Sequence, residues 1–379
     1  MSSVQLDTQW TRALGRRLLG WFDRHARPLP WRESRDPYRI WVSEIMLQQT
    51  QVATVIPYFQ RFTAVFPHVH ALAAASEEQV LRLWEGLGYY RRARQLHRAA
   101  RALVEVHQGE FPRELTAIQE LPGIGRYTAG AILSIAFDAR HPILEANTVR
   151  LYSRLLALTG DPSRADSKRQ LWDFAGAILP RTRVGDFNQA LMELGATLCT
   201  PRSPDCDHCP LADLCPTRRH GLQDRIPAPA RRVVYEPVRE ACVVVWKGPH
   251  ILLRRCGDRE RWAGLWDFPR FAFGADSPAA CGPQLAANVQ QLTGVTVTPG
   301  EKLATIKHGV TRFRITLECF HGRWRTGNVS TPDLQWVAPA DLVQYPLSMT
   351  ARKVARLLVS PVPVRRTSRP ARPGSGEYP

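Results

Sequence analysis

The chain has 379 residues, 44% hydrophobic and 22% charged. That is a globular composition too long for one ordinary domain, so wholesale disorder is excluded and two or three compact units are expected. Its 51 Lys and Arg against 34 Asp and Glu leave a formal charge of +17, which points to a polyanionic partner, most simply nucleic acid.

No apolar run reaches the roughly 18 residues of a membrane-spanning helix. The opening MSSVQLDTQWTRALGRR lacks the apolar core of a secretory signal. A cytoplasmic protein with no membrane partner is expected.

Residues 1 to about 200 carry the three- and four-residue apolar spacing of helices, through Leu14, Leu18, Trp21 and Phe22, again through Val80, Leu83, Trp84 and Leu87, and from Thr128 to Phe137. Asp36-Pro37 reads as an N-cap followed by a first-turn proline. On the helix that follows, Ile40, Glu44 and Gln48 share one face. A carboxylate among Ile, Trp, Met and Leu has a raised pKa and suits a general acid. The alternative is a surface glutamate on an amphipathic helix.

In LPGIGRYTAG, Gly123 and Gly125 form a tight turn opening onto a helix, where outward N–H groups can hold a phosphate. Ordinary helix–helix turns use glycine in the same way. In PILEANTVRL, Glu145 or Asn147 is a candidate N-cap. Either also offers a polar group beside a reacting centre, and an ionised carboxylate there would stabilise a positively charged sugar.

Cys199, Cys206, Cys209 and Cys215 follow, spaced C-x6-C-x2-C-x5-C, which suits an iron–sulfur cluster or a structural zinc. Cys242, Cys256, Cys281 and Cys319 look scattered and simply packed. Residues 221–237 read as a Pro- and Arg-rich linker. Beyond it, CVVVWK, HILLRR, VTVTP and FRITLECF read as strands, with one helix around 279–292, so an α+β domain is expected over 238–358. The basic, Pro-rich 359–379 is expected to be a disordered tail.

SEIMLQQTQVATVIPYF, LWEGLGYYRRARQLH, LPGIGRYTAGAI and the four-cysteine spacing together resemble the adenine DNA glycosylases of the MutY type, in the helix-hairpin-helix, endonuclease III-like superfamily. The likeness is close over about 8–220 and looser over 238–358. It implies a mostly α-helical glycosylase domain over 1–220, with the iron–sulfur loop at 199–215, followed by a Nudix-like 8-oxoguanine recognition domain. The implied activity removes adenine mispaired with 8-oxoguanine or guanine in double-stranded DNA by flipping it into a pocket.

The resemblance assigns residues as well. Glu44 matches the catalytic acid, Tyr127 a tyrosine beside the sugar, and Glu145 the second carboxylate, which Asn147 follows. Gln48 and Tyr89 match residues that fill the base stack, and Trp31, Arg32 and Glu193 would line the adenine pocket. The four cysteines would hold a 4Fe-4S cluster, and a monomer is the family expectation. Bifunctional relatives carry a lysine where this chain has Tyr127, so hydrolysis without efficient strand cleavage is expected.

Three departures stand out. Most of the family has Asp and Gly where this chain has Glu145 and Ala146, and Glu extends the carboxylate by one bond, roughly 1.5 Å. A shift of about 1 Å can cost on the order of 100-fold in rate. The backbone has retreated, the enzyme is slow, or its substrate has changed; with the other site residues in place, the first is expected. The family's Phe-Ser-His sensing loop is here Val310-Thr311-Arg312, where Thr311 and Arg312 remain candidates for the lesion or a phosphate. The helix PAACGPQLAANVQQLTG has no carboxylate to hold magnesium, so no pyrophosphohydrolase is expected. A mismatch glycosylase for another base and a non-catalytic DNA-damage-binding protein are the alternatives.

Overall fold

The computed structural model describes residues 7–228, 234–274, 278–329 and 331–359. It divides into two compact units, 1–235 with 257–264, and 236–256 with the residues from 265 onward.

The first unit is helical: α1 (Thr8–His25), α2 (Pro37–Leu47), α3 (Val52–Val65), α4 (Val69–Ala74), α5 (Glu77–Trp84), α6 (Arg91–His107), α7 (Leu115–Gln119), α8 (Arg126–Phe137), α9 (Ala146–Leu155), α10 (Ala165–Ala177), α11 (Val184–Thr197) and α12 (Pro216–Arg219). The Asp36 carboxylate accepts the Tyr38 N–H at 2.9 Å and Pro37 fills the first turn, which sets where α2 begins. Ser76 and Gln79 close a reciprocal capping box on α5.

The apolar spacing that runs on to Leu87 outlasts this helix, which stops at Trp84. Gly86 takes φ +104°, and a Cβ there would lie 2.1 Å from the Tyr58 hydroxyl. The chain must turn, and Leu87 is buried from a loop.

One core joins α1, α9, α10 and α11 through Leu14, Leu18, Tyr152, Phe174, Phe187 and Leu194. Helix α2 is buried almost all round, from Ile40 to Met46. A helix with a solvated face would leave Glu44 in water; here the residue is only 5% exposed.

The expected linker starts late. Ile226 is buried, and Arg154 of α9 donates to the carbonyls of Ile226 (2.9 Å) and Gln223 (3.1 Å), which ties these two residues to the first unit. Strand pairing begins at Glu236, two residues before the expected domain boundary.

The second unit is built from β1 (Glu236–Lys247), β2 (His250–Arg255), β3 (Trp266–Asp267), β4 (Arg270–Ala272), α13 (Pro278–Thr293), β5 (Thr296–Val310), β6 (Phe313–Thr326), β7 (Leu334–Val337) and α14 (Met349–Val359). The sheet runs β3-β2-β1-β6-β5, with β4 on β1 and β7 on β2. The pair β1–β6 is parallel and the others are antiparallel.

Strand alternation sends Cys242 and Val244 into a core with Ala351 and Val354 of α14, and Ala241, Val243 and Val245 into one with Leu285 and Val289 of α13. Cys242 and Cys319 are not scattered: they are register partners on β1 and β6, both buried. The chain brings them together only through a crossover, which no local spacing reveals. The tail beyond Val359 lies outside the described residues.

Candidate active site

A cleft of about 760 Å³ opens between α2, the turn at Trp31, α8, the start of α9 and α11. Its lining includes Trp31, Arg32, Glu44, Gln48, Tyr127, Glu145, Asn147 and Glu193. These residues come from five separate stretches of sequence.

Glu44 lies at its floor, and the Tyr127 hydroxyl donates to Glu44 Oε2 at 2.5 Å. Burial pushes the Glu44 carboxyl up to about 7; the Tyr127 hydrogen bond opposes this, the nearby Glu145 carboxylate adds to it, and Arg32 opposes it. Such a group holds a proton near neutral pH and can give it to a base. Burial, and then the Glu44 charge, raise the Tyr127 phenol, so this hydroxyl stays a donor.

Glu145 is the N-cap of α9. Its Oε2 accepts the Asn147 N–H at 2.8 Å and its Oε1 the Thr148 N–H at 2.9 Å, while Thr148 Oγ1 accepts the Glu145 N–H at 2.8 Å. The Glu145 side chain thus turns back along the start of its own helix. Burial raises its pKa, opposed by those two N–H groups. Asn147, the other candidate cap, sits inside the helix and accepts from Arg150 Nη2 at 2.8 Å.

Glu193 is 2% exposed and saturated by two guanidinium groups. Arg27 donates from Nε (2.5 Å) and Nη2 (2.9 Å), and Arg32 from Nη2 (2.9 Å). Burial would raise this carboxyl, but the Arg27 and Arg32 bonds hold it below its ordinary range. Arg32 also donates to Gln189 Oε1 at 3.1 Å, and Trp31 meets Phe59 edge-on. Arg27, Gln189 and Met192 line the cleft without any local signal in the sequence. Arg27 meets Glu193 only because the fold closes a span of 166 residues.

A second depression, about 400 Å³, lies between α2, α6 and the turn before α8, lined by Gln48, Tyr89 and Gly123. Tyr89 is 49% exposed at φ +47°. The two turn glycines differ. Gly123 needs its φ of +79°, and a Cβ there would sit 2.7 Å from Gln95 Cβ. Gly125 is the N-cap of α8, with open space where a Cβ would stand. In the second unit, Thr311 turns the β5–β6 hairpin at φ +49°, and Arg312 pairs with Glu236 at 3.1 Å.

The four clustered cysteines line one apolar cavity. Arg154 Nη1 lies 3.2 Å from Cys199 Sγ. Burial pushes the Cys209 thiol up to about 12 and raises the Cys215 thiol, so cationic iron or zinc would be needed to hold these two as thiolates. Among the described residues no three His, Cys, Asp or Glu groups converge tightly enough to hold one ion.

Family profiles match in three places: a HhH-GPD superfamily base excision DNA repair protein over 42–176, the iron–sulfur binding domain of endonuclease III over 199–215, and a NUDIX domain over 241–357. The fold and the cleft thus define a helix-hairpin-helix DNA glycosylase with an iron–sulfur cofactor. An adenine DNA glycosylase from Rattus norvegicus is 35% identical over 91% of this chain and 78% of its own length. One from Schizosaccharomyces pombe is 31% identical over 86% and 85%. The chain belongs to the adenine DNA glycosylase family. A solved thermostable thymine-DNA glycosylase is 28% identical with a TM-score of 0.52, over 56% of this chain and 98% of that one.

Proposed function

We propose that the chain releases adenine mispaired with 8-oxoguanine or guanine in double-stranded DNA, working as a monofunctional glycosylase and a monomer among cytoplasmic, nucleoid-associated repair enzymes. The observation that carries this reading is the buried Glu44 with its carboxyl raised to about 7 beside Tyr127 and Glu145 in one cleft of about 760 Å³. Glu44 gives its proton to N7 of the extruded adenine. The bond from N9 to the sugar C1′ then breaks, and the ionised Glu145 offsets the positive charge left on the sugar. Water adds to C1′, and its proton passes to Glu44.

Tyr127 offers no amine for a Schiff base, so the step is hydrolytic. Trp31, Arg32 and Glu193 hold the base, Gln48 and Tyr89 fill the gap it leaves, and the turn at Gly123 and Gly125 takes a backbone phosphate. Cys199, Cys206, Cys209 and Cys215 would hold a 4Fe-4S cluster, whose part there is structural and not hydrolytic. Thr311 and Arg312 sense the opposite base.

Single-turnover adenine release from an adenine–8-oxoguanine duplex tests the reading, with adenine–guanine and thymine–guanine duplexes alongside. Native protein should release adenine, and Glu44→Gln should slow it by about 100-fold or more while keeping lesion affinity. Thymine release instead would favour the second reading, a thymine mismatch enzyme, which the thymine-DNA glycosylase likeness supports. Glu145→Asp should keep activity within about tenfold; activity appearing only in that variant would mean a changed substrate.

A further inference from the structure

Helix α2 ends at Leu47, three residues after Glu44, so the carbonyls of its last turn have no partner within the helix. Arg92, in the first turn of α6, supplies one from outside. Its Nη1 donates to the oxygens of Ile45 (2.8 Å), Met46 (3.0 Å) and Gln48 (2.5 Å). Its Nη2 serves the segment before Tyr89, donating to Leu87 and Gly88 at 3.2 Å each, and to Thr50 Oγ1 at 3.3 Å. The same guanidinium lies 5.4 Å from the Trp84 ring centroid and 5.6 Å from that of Tyr89.

Both segments it joins hold a non-glycine residue in left-handed backbone, Gln49 at φ +57° and Tyr89 at φ +47°. Such residues keep that conformation only where their surroundings impose it. No carboxylate among the described residues forms an ion pair with Arg92; its partners are carbonyls, a hydroxyl and two rings. Lysine carries its three donors on one freely rotating nitrogen, whereas the planar fork of arginine fixes two nitrogens and so holds the two segments in one geometry. A cation at the end of α2 also complements the helix dipole.

We infer that Arg92 is a positioning residue that couples entry of Tyr89 into the base stack to presentation of Glu44 to the extruded adenine. The inference rests on the roles proposed above for Tyr89 and Glu44. The two ends of the fork share one rigid plane, so a displacement of the 87–89 turn against DNA is passed to the last turn of α2. A brace that only held the fold would lower stability and leave the two events independent.

The test uses Arg92→Lys and Tyr89→Ala, singly and together, in the full chain. Single-turnover adenine release from an adenine–guanine duplex is read at saturating enzyme, with the iron–sulfur absorbance and thermal midpoint reporting the fold. Arg92→Lys should keep the cluster and slow release at least tenfold; in the Tyr89→Ala background it should add less than twofold. Losses that multiply, or an unchanged rate, overturn the coupling.

If the lysine variant does not fold, amide exchange on the native chain decides. Binding of a duplex whose adenosine carries a 2′-fluorine, which resists cleavage, should protect peptides 45–50 and 87–92 together, and Tyr89→Ala should abolish both. Protection of 87–92 alone overturns the inference. If native protein releases no adenine, the functional reading fails, while the exchange data still judge the coupling.

Discussion

Glu44 is destabilising when charged, and that ties the chemistry to pH. Its folded carboxyl sits near 7 against an ordinary 4.5, so the native state binds the extra proton between those values. The stability this gives is complete below 4.5 and is lost as pH rises through 7. Glu44→Gln should therefore match the native thermal midpoint near pH 4.5 and exceed it above pH 7. The gain is roughly 3 kcal/mol from a shift of this size. Equal midpoints at pH 8 would mean that Glu44 is not desolvated. The same proton predicts that adenine release by the native protein declines as pH rises through about 7. Glu145 is raised by burial too, but there two backbone N–H groups at the start of α9 oppose the rise by bonding its charged form.

At the scale of elements, the cleft depends on how closely α11 approaches α9. A Cβ on Gly195 would lie 2.8 Å from Asn147 Cβ and 3.1 Å from its carbonyl oxygen. Arg150 Nη2 then donates to Gly195 O at 2.7 Å, locking the two helices. Alanine in a helix interior usually gains up to about 1 kcal/mol over glycine. Gly195→Ala should instead cost about 1–3 kcal/mol through overpacking, and should slow adenine release by displacing the Glu145 cap. Urea unfolding and single-turnover rates check both effects. The helices themselves were legible from apolar spacing, and the start of α2 from Asp36-Pro37. The end of α5 was not, because Gly86 turns the chain under Tyr58, a residue 28 positions earlier.

Across the whole molecule, a charge of +17 favours contact with DNA phosphates. DNA binding should weaken steeply with added salt, as counterion release requires, and a flat response would oppose the proposed contacts. Replacing Thr311 and Arg312 together with alanine should reduce the preference for 8-oxoguanine over guanine opposite adenine, read as a ratio of single-turnover rates. An unchanged ratio would mean that Thr311 and Arg312 sense nothing. Purified protein should be brown, with broad absorbance from the cluster; a colourless protein with stoichiometric zinc would refute iron.

Much of this protein is determined by sequence alone. The spacing of Cys199, Cys206, Cys209 and Cys215, the Gly123–Gly125 turn and the motif around Glu44 are local patterns, and local patterns survive without a fold. The helical and strand periods are likewise local, which is why the α+β second domain was legible before its sheet order. Tertiary structure decided what depends on distant segments meeting: that Glu44 is buried and not on a solvated face, that Arg27 and Arg32 saturate Glu193, and that Cys242 faces Cys319. It also decided that Glu145 turns back to cap α9, and that Arg92 bridges α2 and the Tyr89 turn. Burial, ion pairing and carbonyl capping are properties of neighbours in space, and a raised pKa exists only once those neighbours have excluded water.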